Sequence, residues 1–255
     1  MKKIVVFFVI LFIFPVLIFS EDKRINQLKD TTESPLLRAA LAKSLGKENI
    51  KEIGPIFLEI ICNEKEDYGL RVACANQIGN FDSKEILFQL KDLIVTLKDS
   101  KGDIINGILD GISKSKYRKD KDILSAVGLF IKDKKSETRK KVIAILTESN
   151  DKSAIPFLMM AMEDKAHAIR KMAIQSVAKI GGKLAALAMI DALEEEKQEE
   201  IRDLIADILN KIEIPKMKKV WIETFEKRVE EENNPKTKLK LKSALERVKK
   251  AQSGK

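Results

Sequence analysis

One arginine recurs along this chain at an almost constant interval. Each copy follows Leu, Ile or Thr and precedes apolar residues three and seven positions later. Successive copies are 33, 68, 31 and 32 residues apart, the second spacing being two periods, and they are Arg38, Arg71, Arg139, Arg170 and Arg202. A fixed period of about 20–50 residues is typical of repeat proteins, in which each unit packs only on its neighbours.

The clearest unit, residues 151–182, predicts two antiparallel helices. Asp151 and Pro156 are typical of a helix start, and Gly181 with Gly182 is typical of a helix end. The same template along the chain predicts second helices at 35–45, 68–79, 103–113, 136–148, 167–180, 199–211 and 236–249. We therefore expect an all-α protein, with residues 21–255 forming one right-handed α-solenoid (superhelix) of about seven stacked hairpins.

Two units depart from the template. In the third, Asn106 replaces the arginine, and Gly107 with Gly111 is expected to weaken the second helix. In the seventh, Lys238 takes the arginine's place. These departures leave the number of units open by about one.

The residues of the clearest unit resemble HEAT repeats, specifically the short HEAT-like type of the phycobilisome lyases. The resemblance rests on Asp151, Ala154-Ile155-Pro156, Leu158, Glu163-Asp164, Ala168-Ile169-Arg170, Ala173, Val177 and Ile180-Gly181. Leu70-Arg71-Val72-Ala73 with Gln77-Ile78-Gly79 is similar to the second half of the unit. The resemblance implies an armadillo-like binding scaffold and leaves the partner unspecified.

The resemblance also implies a structural role for the arginines. In HEAT-like families the arginine tends to pair with an acidic residue of the turn between the two helices. Asp67 with Arg71 and Asp164 with Arg170 fit that role, whereas Arg139 and Arg202 have less obvious partners. We interpret the five arginines as a structural ladder and not as a ligand site.

The first twenty residues have the layout of a secretory signal peptide. Lys2 and Lys3 precede an apolar run over residues 4–19, and Ser20 follows it. The run is shorter than the ~20 residues that span a bilayer comfortably. We expect export to the periplasm or the extracellular space; the alternative is an inner-membrane anchor formed by residues 4–19.

The excess positive charge lies in the C-terminal region. Residues 214–255 hold 13 Lys or Arg against 6 Asp or Glu, whereas residues 21–213 hold 33 of each. This region could contact an anionic envelope surface, or it could be a solvated end of the array. Nucleic acid is not an expected partner, because an exported chain without interleaved aromatic residues lacks the stacking platforms that single strands need.

Two cysteines fall in one predicted hairpin. Cys62 and Cys74 lie on either side of the turn near Asp67, and export would permit a disulfide between them. The alternative is two small buried apolar side chains. The C-x11-C spacing lacks the close pairing of a redox dithiol.

No pattern in the sequence predicts catalysis. The single histidine, His167, has no companion ligand or nucleophile in any local motif, and we expect neither a metal nor another cofactor. We expect a non-catalytic scaffold or adaptor whose concave face binds protein. Residues just after the ladder arginines would face the partner: Lys140, Lys171 and Asp203. The alternatives are an anchored envelope structural protein and, less favoured, a lyase-type enzyme or enzyme chaperone.

Overall fold

The computed structural model describes residues 22–48, 51–81, 83–97, 102–212 and 217–253. The predicted signal segment, residues 1–20, lies outside these ranges. Within them the secondary structure is helical throughout, and no helix is long and apolar enough to cross a membrane. The fourteen α-helices are α1 (Lys23–Lys29), α2 (Pro35–Leu45), α3 (Ile53–Cys62), α4 (Tyr68–Gln77), α5 (Lys84–Thr96), α6 (Gly102–Lys114), α7 (Lys121–Gly128), α8 (Ser136–Ser149), α9 (Ile155–Met162), α10 (His167–Ile180), α11 (Gly182–Glu195), α12 (Glu199–Lys211), α13 (Lys219–Glu231) and α14 (Pro235–Ser253).

Capping side chains fix many of the helix starts. Ser34 accepts a hydrogen bond from the backbone N–H of Leu37, and Pro35 occupies the first position of α2. Ser83 and Asp120 cap α5 and α7 in the same way. These side chains satisfy backbone donors that have no partner inside the helix, so each turn between helices ends at a defined residue.

The helices pair into seven hairpins that stack in chain order. The second helices, which have even numbers, form one layer in which each packs on the next, and the first helices form the other layer. The core lies between the layers and is filled by aliphatic side chains such as Ile61, Leu70, Ile143, Val177 and Ile205. This arrangement is an α-solenoid, and the predicted hairpin count is confirmed; the right-handed superhelix stays a prediction.

The third hairpin forms despite its glycines. α6 is a continuous helix, and its glycines lie where it meets α4 and the short 3₁₀ helix that follows α4, Ile78–Asn80. A Cβ on Gly79 would lie 2.0 Å from the Cα of Gly111, and one on Gly107 would lie 2.7 Å from Asn76 Oδ1. That Gly107 and Gly111 weaken the helix stays a prediction; in addition, the two glycines allow two backbones to approach closely, which the sequence pattern did not predict.

Candidate protein-binding surface

Four of the recurring arginines link their own hairpin to the next one. They pair with an acidic residue in the turn of the following hairpin, at sequence separations of 28, 25, 26 and 30 residues. The shortest N–O distances are 2.7, 2.6, 2.7 and 2.8 Å for Arg38–Glu66, Arg139–Asp164, Arg170–Glu196 and Arg202–Glu232. We call this row of ion pairs the arginine ladder.

Three of these arginines also bind the turn of their own hairpin. Arg139 Nη1 donates to the carbonyl oxygen of Asp133 at 2.8 Å, and Arg170 Nη1 donates to that of Asp164 at 2.9 Å. Arg202 Nη1 does the same with Lys197 at 2.9 Å. The guanidinium therefore joins two consecutive turns through its fixed fork of donors, which a lysine ammonium cannot reproduce in the same geometry.

The ladder carboxylates hold a third group in place. Glu196 Oε1 accepts from the backbone N–H of Gln198, and Glu232 Oε1 accepts from that of Asn234, each at 2.8 Å. Burial raises the pKa of both carboxyls, but the hydrogen bonds from Arg170 or Arg202 and from the backbone outweigh it. The pKa of each therefore lies below the ordinary value.

The predicted pairing within one hairpin is wrong. Asp67 caps α4 by accepting from the backbone N–H of Leu70 at 3.0 Å, so its side chain is engaged by its own helix. Arg71 Nε donates instead to the carbonyl oxygen of Ile61 at 3.0 Å. Asp164 pairs with Arg139 and offers Arg170 only its backbone oxygen. The structural ladder is therefore present, but it runs between hairpins.

The two exceptional units fill the arginine's place differently. Lys238 Nζ donates to the carbonyl oxygens of Glu230 and Glu232 at 2.7 and 3.2 Å, which reproduces the contact with its own turn. Asn106 is too short for that contact, and its Oδ1 is buried without a hydrogen-bond partner. Within the described residues, the seventh unit thus keeps the arginine's contact with its own turn but has no ion pair to a following hairpin, and the third unit keeps neither contact.

The three residues predicted to face a partner begin three parallel rows. On α8, α10 and α12, the residue after the ladder arginine and those four and eight positions later lie on one side of the helix, as a spacing of four requires. All nine are exposed or half-buried. We call these residues the second-helix surface: Lys140, Ala144, Glu148, Lys171, Gln175, Lys179, Asp203, Asp207 and Lys211.

Ion pairs between neighbouring helices cross this surface. Lys171 pairs with Glu200 of α12, and Lys240 of α14 pairs with both Asp203 and Asp207 at 2.8 Å. Lys140 is exposed and forms no ion pair with any residue that the structure describes. Of the three predicted contact residues, Lys140 alone presents a charge that is not engaged within the described part of the chain.

The two cysteines are free thiols. Cys62, at the end of α3, is exposed, whereas Cys74 is fully buried in α4. Burial raises the pKa of both thiols, and Cys74 lies close enough to Arg38 and Glu66 to feel their charges. The disulfide that the spacing allowed is not formed, because one side chain points into the core and the other toward solvent.

The other candidate catalytic or metal-binding side chains in the described ranges do not form a site. His167 is the exposed first residue of α10. In the ranges that the structure describes, no three His, Cys, Asp or Glu side chains form a group that could hold a metal ion. The perturbed carboxylates Glu196 and Glu232 are fully engaged by the ladder, and their low pKa reflects a structural ion pair.

Sequence reasoning missed three ladder carboxylates. Glu66, Glu196 and Glu232 lie in turns that follow their arginines by about one period, and that recurrence was the signal that could have revealed them. Glu200, the partner of Lys171, was also missed, because several other carboxylates lie beside it in the sequence.

Stacked two-helix units tied by an arginine ladder define the chain as an α-helical repeat protein. Residues 124–210, which run from α7 to α12, match the family described as HEAT repeats. This part of the chain therefore consists of HEAT repeats, as its sequence pattern suggested. No curated protein sequence matches it.

Several solved structures are similar to this chain at low identity. An engineered protein is 13% identical over 90% of this chain and 96% of its own, with a TM-score of 0.49. The complex of CpcE and CpcF of phycocyanin lyase from Nostoc sp. PCC7120 is 13% identical over 88% and 93%, also with 0.49. A designed armadillo repeat protein is 13% identical over 89% and 98%, with 0.43.

Proposed function

We propose that this chain is a non-catalytic scaffold or adaptor that binds a protein partner on the second-helix surface. One observation carries the proposal: three neighbouring helices present equivalent rows of exposed side chains. Each row extends about 12 Å along its helix at 1.5 Å per residue. Adjacent packed helices lie ~8–10 Å apart, so the rows together cover an area that suits a protein and exceeds a small ligand.

The arginine ladder supports a binding role by fixing how the rows sit relative to each other. The guanidinium groups are bound to carboxylates and carbonyl oxygens, so they are not available to a partner. The residues after them carry mixed charges, with the exposed Lys140 on α8 and the half-buried Asp203 on α12. Extended surfaces of this kind are how solenoids bind partners without special catalytic residues.

Crosslinking in cells, followed by identification of the captured protein, tests the proposal. Lys140→Glu should weaken capture because it reverses the free charge at the start of the α8 row. Reversing Lys171 alone would place two carboxylates together, so the matched test is Lys171→Glu with Glu200→Lys, which keeps the ion pair and exchanges its ends. Lys183→Glu, on exposed α11 surface, is the control. Equal capture by all variants would contradict binding at this surface.

We further propose that the scaffold acts outside the cytoplasm, on the strength of residues 1–20. Mass spectrometry of the mature N-terminus tests cleavage after Ser20. Retention by residues 4–19 would instead leave the protein in the membrane pellet after a salt wash. Release by the wash alone would favour contact between the basic region 214–255 and an anionic envelope surface, because salt screens such contacts.

A further inference from the structure

A cleft of about 520 Å³ opens to solvent between the fifth and sixth hairpins. Its apolar floor comes from two first helices, with Met159 and Met162 on α9 and Ala188 and Ala192 on α11. Both alanines have small side chains, so they leave room between the two helices. The cleft shares no residue with the second-helix surface.

The rim of the cleft is acidic. Glu163, Asp191 and Glu195 are exposed and form no ion pair with any residue in the described ranges. Two cations also line the cleft, but Arg170 is held by Glu196, which leaves Lys197 as the remaining positive charge. The rim is therefore net negative, unlike the crossings between second helices, where Asp203 and Glu200 have lysine partners.

The contact between the next two first helices, α11 and α13, shows which side chain could neutralise the charge of this rim. Arg228 of α13 directly precedes the buried Val229, as Ala192 of α11 directly precedes the buried Leu193. Arg228 is 10% exposed and pairs with Glu194 at 2.6 Å and with Glu231 at 2.9 Å. An arginine of the chain thus fills the later crossing, whereas the earlier one has an alanine in that place and carboxylates without partners.

We propose that the cleft binds a segment of a partner protein that carries an apolar side chain next to Lys or Arg. The apolar side chain would contact Met159 and Ala192, and the cation would pair with Asp191 and Glu195. Those carboxylates are one helical turn apart, so an elongated segment can meet both. A small-molecule pocket normally buries most of its ligand, which an open cleft with charges only at its rim does not.

A labelled peptide tests the proposal on the full chain. The probe is a fluorescein-labelled hexapeptide with two central leucines between pairs of lysines, and binding is followed by fluorescence polarisation. Asp191→Asn with Glu195→Gln should lower its affinity about two- to thirtyfold, which corresponds to roughly 0.2–1 kcal/mol for each of two exposed ion pairs. Ala192→Leu should also lower it by filling the floor.

The matched control is Asp122→Asn with Glu64→Gln, which removes the same two charges from exposed positions away from the cleft. It should leave the affinity for the peptide unchanged, and so should Lys140→Glu. The cleft proposal and the proposal of binding at the second-helix surface can therefore fail independently, and the two outcomes are distinguishable. Circular dichroism confirms that each variant is folded. If Ala192→Leu perturbs the fold, the rim variant, Asp191→Asn with Glu195→Gln, still tests the proposal.

Four results would overturn the proposal. The first is the absence of saturable peptide binding, and the second is equal binding of a peptide with serines in place of the leucines. The third is a loss of affinity in the control variant equal to that in the rim variant. The fourth is self-association of the protein that the rim variant abolishes. In the last case the occupant would be a second copy. Its α14 carries Leu239, 70% exposed, between Lys236 and Lys242.

Discussion

Arg170 and Glu196 belong to consecutive hairpins and are joined by two hydrogen bonds of 2.7 and 2.9 Å. Arg170 also binds its own turn through the carbonyl oxygen of Asp164, and Asp164 accepts from Arg139 of the hairpin before. The turn that contains Asp164 is thus bound from both sides. In a repeat array, stability depends on the interfaces between units as much as on the units, and the ladder contributes at the interfaces.

Removing a ladder arginine should destabilise the protein far more than removing an exposed lysine. In Arg139→Ala, Asp164 would be left as a buried unpaired charge, since the two side chains are 5% and 8% exposed. The expected loss in the free energy of unfolding is about 3–5 kcal/mol. Lys171→Ala breaks a pair that is 40% and 75% exposed, and should cost less than about 1 kcal/mol. Urea unfolding followed by circular dichroism measures both; equal losses would contradict a buried ladder.

The hairpins could be predicted from the sequence, but the direction of the ladder could not. Helix boundaries follow local signals, such as Ser34-Pro35 at the start of α2, which the structure confirms. Asp164 lies six residues before Arg170 and so looked like its partner, yet it pairs with Arg139 across the interface. The partner is decided by how consecutive hairpins stack, which is a tertiary relationship.

The candidate cleft could not be predicted from the sequence either. Ala188 and Ala192 belong to an apolar stripe that predicts only a buried helix face. Whether such a stripe leaves a cleft depends on the side chains opposite, here Met159 and Met162, and on how closely two helices approach. By contrast, Lys140, Lys171 and Asp203 follow from the arginine register, and the structure places them in equivalent positions.

Acid should weaken the protein through the ladder carboxylates. The pKa values of Glu196 and Glu232 are lower in the folded state than the ordinary value of 4.5, so the unfolded chain binds protons first. Their contribution is complete above that value and is lost as the pH falls through the lower folded pKa. Urea midpoints at pH 7 and at acid pH should differ less for Glu196→Gln with Glu232→Gln than for the native chain. Glu148→Gln, an exposed change, should leave the difference unaltered.

Adding one methyl group where α6 approaches the 3₁₀ helix that follows α4 should be costly. Gly111→Ala places a Cβ about 3.0 Å from the backbone of Gly79, so the helices must separate. Overpacking of this kind costs about 1–3 kcal/mol, which exceeds the gain of ~1 kcal/mol in helix propensity. Gly69→Ala is the matched control, because Gly69 is exposed on α4 and its nearest contact is the Asp67 side chain. Thermal unfolding should show a lower midpoint for Gly111→Ala alone.

The two thiols should react at very different rates in the native protein. Cys62 is exposed, whereas Cys74 is fully buried and its pKa is raised by burial, so it forms little thiolate. An aromatic disulfide reagent at neutral pH should therefore titrate one equivalent quickly and the second only after unfolding in urea. Cys62→Ser should remove the fast phase, and Cys74→Ala should leave it intact. If the untreated protein showed no reactive thiol until it was reduced, the two cysteines would be bridged and the free thiols of the structure would be wrong.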